Sequence, residues 1–514
     1  MKTRISQIFP NSENRNPFVL IRAIRVLKIC VCLGSSVVLF FTGCAAGPDF
    51  KKPAAPNVNG YTPAPLSTTA STANVSGGEA QSFSAGADIP GEWWSLFHSK
   101  PLNELIESSL TNNPDIKSAQ AALLVAKENV LAGKGAFYPN VSGSFSASRN
   151  KTSAEISPTP NSGAEYYTLF TPQVSVSYAP DVFGLNRRTM ESLKALQQSA
   201  RFQLVATHIT LSANVVLAAI QEASLRAQIE ATRQLVAINS EMVQALRERF
   251  AKGLATRLNV ASQESQLAQT EAALPPLLKQ LAQQRDLLTA LAGNFPDKDL
   301  PERFELSDLQ LPRELPVSLP SQLVGQRPDV RQAEENLHAA SAQVGIATAS
   351  RLPNFPLTAD AGAMALTAGK FFAGGTGFWD LGAGVTQPIF EGGTLLHQER
   401  AAKAAYVRAA EQYRSTVVTA FQNVADTLNA LQQDADELKS AVAAVNAAKI
   451  AFGLTRQQLE TGNAAQLDLL NAEQTYQQTV INLIQAQASR YADTAALFQA
   501  LGGGWWHRAD LSGS

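Results

Sequence analysis

The chain has 514 residues, 45% hydrophobic and 17% charged, with a formal net charge of −1. That length holds more than one structural unit and ample material for a core, and the charge balance excludes an electrostatic nucleic-acid binder, so no nucleic-acid partner is expected. Cys30, Cys32 and Cys44 are the whole cysteine set, which excludes a disulfide framework, a thiolate metal cage and a cysteine nucleophile further along. No uninterrupted 20-residue apolar run follows residue 44, so the remainder is not expected to cross a membrane as a helix.

Residues 1–43 carry six basic groups, from Lys2 to Lys28, and one acid, Glu13, while the 13 residues Ile29–Phe41 are uncharged. A basic start, a short apolar stretch and small residues at the end describe an export signal, too short to remain as a span. The start is long for a signal, and an initiation site nearer Arg22 would shorten it. Thr42-Gly43-Cys44 resembles a bacterial lipobox. That implies a lipoprotein signal peptide over 1–43, removed, and a covalent lipid (diacylglycerol and N-acyl) on Cys44. At about 0.8 kcal/mol per buried methylene, two or three acyl chains hold a protein durably. Ala45 stands where an Asp would favour the inner membrane by the bacterial sorting rule, so outer-membrane lipid is the expected destination.

Residues 53–87 hold one charge, Glu79, and 25 of the 35 are Ala, Ser, Thr, Pro or Gly. Such side chains bury too little surface to offset chain entropy. Residues 44–90 are therefore expected as an acylated, extended tether, with pinning onto a neighbouring surface as the alternative. Trp93-Trp94 then open the folded chain, where packing at the start of a first helix is expected rather than ligand stacking.

From there the chain is duplicated. Arg249-Phe250-Ala251-Lys252-Gly253-Leu254-Ala255-Thr256 aligns with Gln458-Leu459-Glu460-Thr461-Gly462-Asn463-Ala464-Ala465 at an offset of 209. Tyr138-Pro139-Asn140 pairs with Leu352-Pro353-Asn354, and Pro180–Gly184 with Pro388–Gly392, at offsets of 214 and 208. Landmarks in one order at nearly one spacing define a unit far longer than a solenoid repeat. The units span 91–300 and 301–503, followed by a tail over 504–514.

Long tracts without proline run from Asp181 to Leu274 and beyond Pro388. Phe421, Val424, Leu428, Leu431, Ala435, Leu438, Val442 and Val445 alternate at spacings of three and four, a heptad seam. Val260, Leu267, Leu274, Leu281 and Leu288 recur every seventh residue, as do Leu469, Tyr476 and Leu483. A helix is expected from about Thr394 to Glu460, roughly 100 Å long, which must pack on others like itself. Pro275-Pro276 interrupts only the first copy, so the two halves should differ there in bend or helix length.

Four short segments change period. Val141, Gly143, Phe145 and Ala147 alternate with serines, Val174, Val176 and Tyr178 with Gln173, Ser175 and Ser177, and Leu357–Asp360 and Trp379–Thr386 follow more loosely. They are expected as hairpins at about 137–183 and 352–390, each strand near transmembrane length, with aromatics near the ends as an interfacial girdle requires. A soluble half-buried sheet is the alternative, and the lipid anchor with two matched hairpins favours the membrane. In hydrocarbon every backbone group must be paired, so the sheet must close. Four strands are too few for a barrel. Several protomers must complete it.

Particular motifs carry a resemblance. Gly43-Cys44 with Gly47-Pro48-Asp49-Phe50, Trp93-Trp94-Ser95-Leu96-Phe97, Asn113-Pro114-Asp115 and Asp181-Val182-Phe183-Gly184 resemble those of outer-membrane efflux lipoproteins of the TolC/OprM (NodT-type) family. Leu319-Pro320-Ser321-Gln322-Leu323-Val324, then Arg327-Pro328-Asp329-Val330-Arg331-Gln332-Ala333-Glu334, are the most specific of them. The resemblance runs in order from Cys44 to about Gly503. It implies a mainly α fold with a transmembrane β part: a TolC-like homotrimer, its 12-stranded β-barrel built from four strands per protomer and continued by a long periplasmic α-helical barrel. It implies a passive exit duct for drugs or other small toxic compounds, with a periplasmic adaptor (membrane fusion) protein and an inner-membrane RND-type pump as partners.

The resemblance also implies roles for residues. Arg249, Gly253, Leu254, Ala255 and Thr256, with Gly462, Asn463 and Ala464, would be adaptor-contacting hairpin tips, or else ordinary turns without a partner. Leu467, Asp468 and Asn471 would constrict the pore, the alternative being that Asp468 favours its helix N-terminus. Related sequences commonly carry a second Asp where this one has Asn471. No catalytic residue is expected: His98, His208, His338, His397 and His507 form no metal motif, and Gly374–Gly377 fits a hairpin turn better than a phosphate loop. No soluble cofactor or metal is expected. A protein-secretion channel of the same fold, or a pore-less lipid-anchored coiled-coil scaffold, are the rival readings.

Overall fold

The computed structural model describes residues 45–64, 66–151 and 166–512. The signal segment 1–43 and the acylation site Cys44 lie outside the described residues. In chain order the elements are β1 (Ser82–Ala85), α1 (Lys100–Asn112), α2 (Pro114–Lys134), β2 (Asn140–Lys151), β3 (Tyr166–Tyr178) and α3 (Leu185–Ala251). There follow α4 (Arg257–Ala272), α5 (Leu274–Leu291), β4 (Glu314–Val317), α6 (Pro320–Gln326), α7 (Pro328–Ala349), β5 (Leu357–Ala363), β6 (Gly377–Ala383), α8 (Thr394–Glu460) and α9 (Gln466–Ala500).

The chain divides into two compact units. One takes the described parts of 1–48 with 136–189 and 345–399, and the other 49–135, 190–344 and 400–514. These units cut across the sequence halves 91–300 and 301–503, each drawing on both. The cause is strand pairing: β3 of the first half bonds to β5 of the second, so the two hairpins make one sheet, ordered β2-β3-β5-β6 and antiparallel throughout. The first hairpin is the longer, with strands of 12 and 13 residues against 7 and 7 in the second. Asp181 makes the bend after β3, its carboxylate accepting from the backbone N–H of Asn186 (3.0 Å) and Arg187 (2.9 Å).

Two helices that begin in the first unit continue into the other: α8, the expected Thr394–Glu460 helix, and α3, likewise 67 residues long. The most apolar 18-residue window of α3 has a mean hydropathy of 1.5, enough to cross a membrane by composition, but 61% of it is buried within the fold. Val424, Leu428, Leu431, Ala435 and Leu438, the centre of the heptad seam, are fully buried. Pro275-Pro276 divides α4 from α5 at Ala273, whereas α9 runs 35 residues unbroken. A proline has no N–H to give the preceding turn, so it is accepted where a helix begins. Asn113 uses the same logic: Pro114 opens α2 and the Asn113 side chain accepts from the Asp115 N–H at 2.8 Å.

The tether expected over 44–90 needs correction. The described residues of 53–87 are built into the helical unit. β1 pairs in parallel with β4, Ser82 opposite Glu314. Gln81, fully buried, donates its side-chain amide to the Pro312 carbonyl (3.0 Å) and the Thr494 hydroxyl (3.1 Å). Arg490, also fully buried, donates to the Glu79 carbonyl (3.0 Å), the Gln81 side chain (3.1 Å) and the Thr69 hydroxyl (3.3 Å). A poor apolar composition does not free a segment whose polar backbone is satisfied by a buried guanidinium. The tail is docked as well: Trp505 donates to the Gln326 carbonyl (2.7 Å), and Trp506 to Asp88 (3.0 Å).

Trp93 and Trp94 are core residues at the head of α1, as expected, and Trp93 stacks on Phe498 with ring centroids 5.4 Å apart. Trp93→Ala should lower the stability of the helical unit by about 3–5 kcal/mol. Loss of helical circular dichroism on heating the detergent-solubilised protein should begin at a clearly lower temperature.

Candidate functional site

The sheet has two chemically distinct faces because its alternation is kept in register across all four strands. On one face Ser142 stands opposite Ser175, Ser144 opposite Gln173, Ser175 opposite Asp360, and Asp360 opposite Asp380. Carboxylates directly opposite one another repel. Asp360 is held in place by two donors, the Gln173 amide at 2.7 Å and the Ser175 hydroxyl at 2.5 Å. The other face presents Val141, Phe145, Val174, Trp379 and Leu381, all exposed, Trp379 by 75%. At one end Phe371 meets Phe145 and Phe170 edge-on, with centroids 6.1 and 6.3 Å apart. Gly374–Thr376 lie in the turn joining β5 and β6, where Gly375 takes φ +89°, and Gly377 opens β6. Among the described residues, one edge of β2 and one edge of β6 have no partner strand.

In the helical unit, the two glycine turns close alike. After α3 the Leu254 N–H bonds to the Arg249 carbonyl (2.8 Å) and the Gly253 N–H to the Phe250 carbonyl (2.9 Å). After α8 the Asn463 N–H bonds to the Gln458 carbonyl (2.8 Å) and the Gly462 N–H to the Leu459 carbonyl (3.2 Å). This double closure needs a left-handed residue at its centre, and Gly253 and Gly462 supply φ of +74° and +79°. Thr256 caps α4 by accepting from the Asn259 N–H at 3.2 Å. Arg249 and Ala255 are half-buried, and Gly253, Leu254 and Thr256 are exposed; in the second turn Gly462 and Asn463 are exposed and Ala464 half-buried.

Leu467, Asp468 and Asn471 lie exposed on the first turns of α9. Positions three and four apart share a helix face, so the fold brings them together. Asp468 also has a local task, its carboxylate accepting from the Ala465 N–H at 2.9 Å. Both readings of this residue are therefore compatible with its geometry.

Sequence reasoning missed a buried polar layer close by. The Gln466 amide donates to the Gln263 side chain (2.8 Å), and Gln263 in turn donates to Asn239 (2.7 Å) and reaches Glu473 (3.5 Å). Asn239, Gln263 and Glu473 are fully buried. The signal was present in the heptads: Gln263 and Thr270 stand three residues after Val260 and Leu267, and Gln466 and Glu473 three before Leu469 and Tyr476. Polar residues at seam positions fix register at a cost in stability. Burial pushes the Glu473 carboxyl above its ordinary value, against the opposing hydrogen bonds from Asn239 and Gln263. Among the described residues, no cluster of His, Cys, Asp and Glu is arranged to hold a metal ion.

A sheet with one apolar and one polar face, in one chain with heptad-packed helices of about 100 Å, defines the class of outer-membrane channel proteins. The chain belongs to the outer membrane efflux protein family, whose sequence model matches residues 105–294 and again 319–503. It is 29% identical over 470 residues to the toluene efflux pump outer membrane protein TtgC of Pseudomonas putida, covering 91% of this chain and 94% of that protein. It is 29% identical over 447 residues to the pyoverdine export outer membrane protein OpmQ of the same species, covering 86% and 94%. The crystal structure of the outer membrane protein VceC from Vibrio cholerae superposes with a TM-score of 0.75 at 28% identity, over 82% of this chain and all of that one. The protein is an outer-membrane efflux component, and its family is one of ducts rather than enzymes.

Because the Glu473 carboxyl titrates higher in the folded chain than in the unfolded one, folding is favoured by its protonation below the ordinary carboxylate range. That contribution is lost as pH rises through the folded value. Glu473→Gln should remove the dependence. The melting temperature of the variant minus that of the wild type should grow as pH is raised from 4, and a difference independent of pH would contradict the assignment.

Proposed function

We propose that the protein is a homotrimer in which each chain supplies four strands to a 12-stranded barrel. The observation that carries this is the sheet with two open edges, an exposed apolar face and a polar face. An open edge in hydrocarbon leaves several N–H and C=O groups unpaired, each costing several kcal/mol. Three copies joined edge to edge remove all of them. The serines, Gln173 and the two aspartates then line water, and Val141, Phe145, Trp379 and Leu381 meet lipid. The two family matches and the two alike glycine turns support an internal twofold repeat, so that six similar hairpins would surround the helical part of the duct.

The duct is passive. An inner-membrane transporter, of the RND type by family resemblance, supplies the energy, and a periplasmic adaptor hands over small toxic compounds. The relatives named for toluene efflux and pyoverdine export support small molecules as cargo. Arg249, Gly253, Leu254, Ala255, Thr256, Gly462, Asn463 and Ala464 are the adaptor-contacting tips. Leu467, Asp468 and Asn471, repeated by the threefold axis, form a constriction with a ring of three carboxylates. Cys44, acylated, holds each protomer to the outer membrane.

Asp468→Ala should widen this constriction. In planar bilayers its single-channel conductance should rise several-fold, and cells carrying it should leak large antibiotics inward. Unchanged conductance with unchanged leak would remove Asp468 from the constriction, while no conductance from the wild type would remove the channel itself.

A further inference from the structure

We propose that the acyl anchor is docked rather than leashed: Arg188, Gly184 and Gly345 clamp the backbone of Ala45–Gly47, the residues that follow the acylation site. The proposal rests on the reading of Cys44 as acylated. The described residues 45–48 cluster with the sheet unit, and their polar groups are taken up one by one. The Ala46 N–H donates to the Phe183 carbonyl at 2.9 Å. Arg188, only 4% exposed, donates its Nε to the Ala46 carbonyl (3.0 Å) and an Nη2 proton to the Gly47 carbonyl (3.3 Å). Charge-assisted bonds from a buried guanidinium are among the stronger ones available to a backbone carbonyl.

Close approach completes the clamp. A Cβ on Gly345 would stand 2.9 Å from the Ala46 carbonyl oxygen and 2.8 Å from Cγ of Arg188. A Cβ on Gly47 would fall 2.4 Å from the Gly345 Cα. Gly184 needs its φ of +80°, and a Cβ there would stand 2.7 Å from the Ala45 Cα. Three segments far apart in sequence thus omit a side chain where residues 45–47 pass. Ala45, the first described residue, is thereby held beside Gly184 in the bend after β3. Gly184 itself lies six residues beyond Tyr178, the last residue of β3. The matching partner is the hydrocarbon of a lipid leaflet at the end of the sheet, and the clamp sets the height at which each protomer sits in it.

The test uses full-length protein isolated from bacterial membranes, as wild type, Arg188→Ala and Gly345→Val. The mass of the N-terminal peptide reports the lipid, and hydrogen–deuterium exchange reports the Ala46 amide. The lipid should be present in all three, and Ala46 should exchange at least tenfold faster in both variants, with exchange along β2, β3, β5 and β6 unchanged. Should Gly345→Val fail to fold, Arg188→Ala, which adds no bulk, carries the test. Slow exchange at Ala46 in the variants, or fast exchange already in the wild type, overturns the clamp. An N-terminal peptide without acyl mass overturns the anchor reading instead, whatever the exchange shows.

Discussion

Every strand carries a row of N–H and C=O groups on each side, and in hydrocarbon none of them has water to turn to. In this chain the first and last strands of the four-stranded sheet each have a row with no strand to pair it among the described residues. The rest of the account follows from that constraint. The apolar face suits lipid only if the edges are closed, and the serine- and aspartate-bearing face suits water only if closure encloses it. Four strands are too few to meet their own ends. On the proposed trimeric reading, self-association follows from the fold itself.

The helical unit meets a different requirement with similar economy. Helices of 67 residues have too little neighbouring surface to be stable alone, and the heptad seams bury their apolar stripe against one another. Where the seam carries Gln263, Gln466 and Glu473, register is specified in place of apolar contact. Two glycine turns reverse the chain with the same pair of hydrogen bonds, although only Gly253 and Gly462 themselves are alike at the bonding positions. Backbone geometry, not side-chain identity, is what the duplicated turns share.

Much of this was legible in the amino-acid order. The bounds of the Thr394–Glu460 helix, the break at Pro275-Pro276 and the alternation in the four strands each follow from local patterns of period or ring geometry. What stayed hidden depends on partners remote in sequence. Nothing in residues 69–81 announces that Arg490, about four hundred positions later, will satisfy their carbonyls, so composition alone reads the stretch as loose. The buried polar layer was visible as polar residues in seam columns but was obscured by the apolar residues seven apart beside them. The cut of the compact units across the sequence halves likewise depends on β3 meeting β5, a pairing between hairpins that no local period specifies.

The most direct measurement is cross-linking between the open edges. The chain has no thiol after Cys44, so cysteines introduced in pairs, one along β2 and one along β6, report only on their own proximity. In outer-membrane preparations the account predicts oxidised dimers and trimers for pairs at one register and nothing larger than a trimer. A chain that inserts in the membrane and conducts, yet yields only monomer at every register tried, would contradict it.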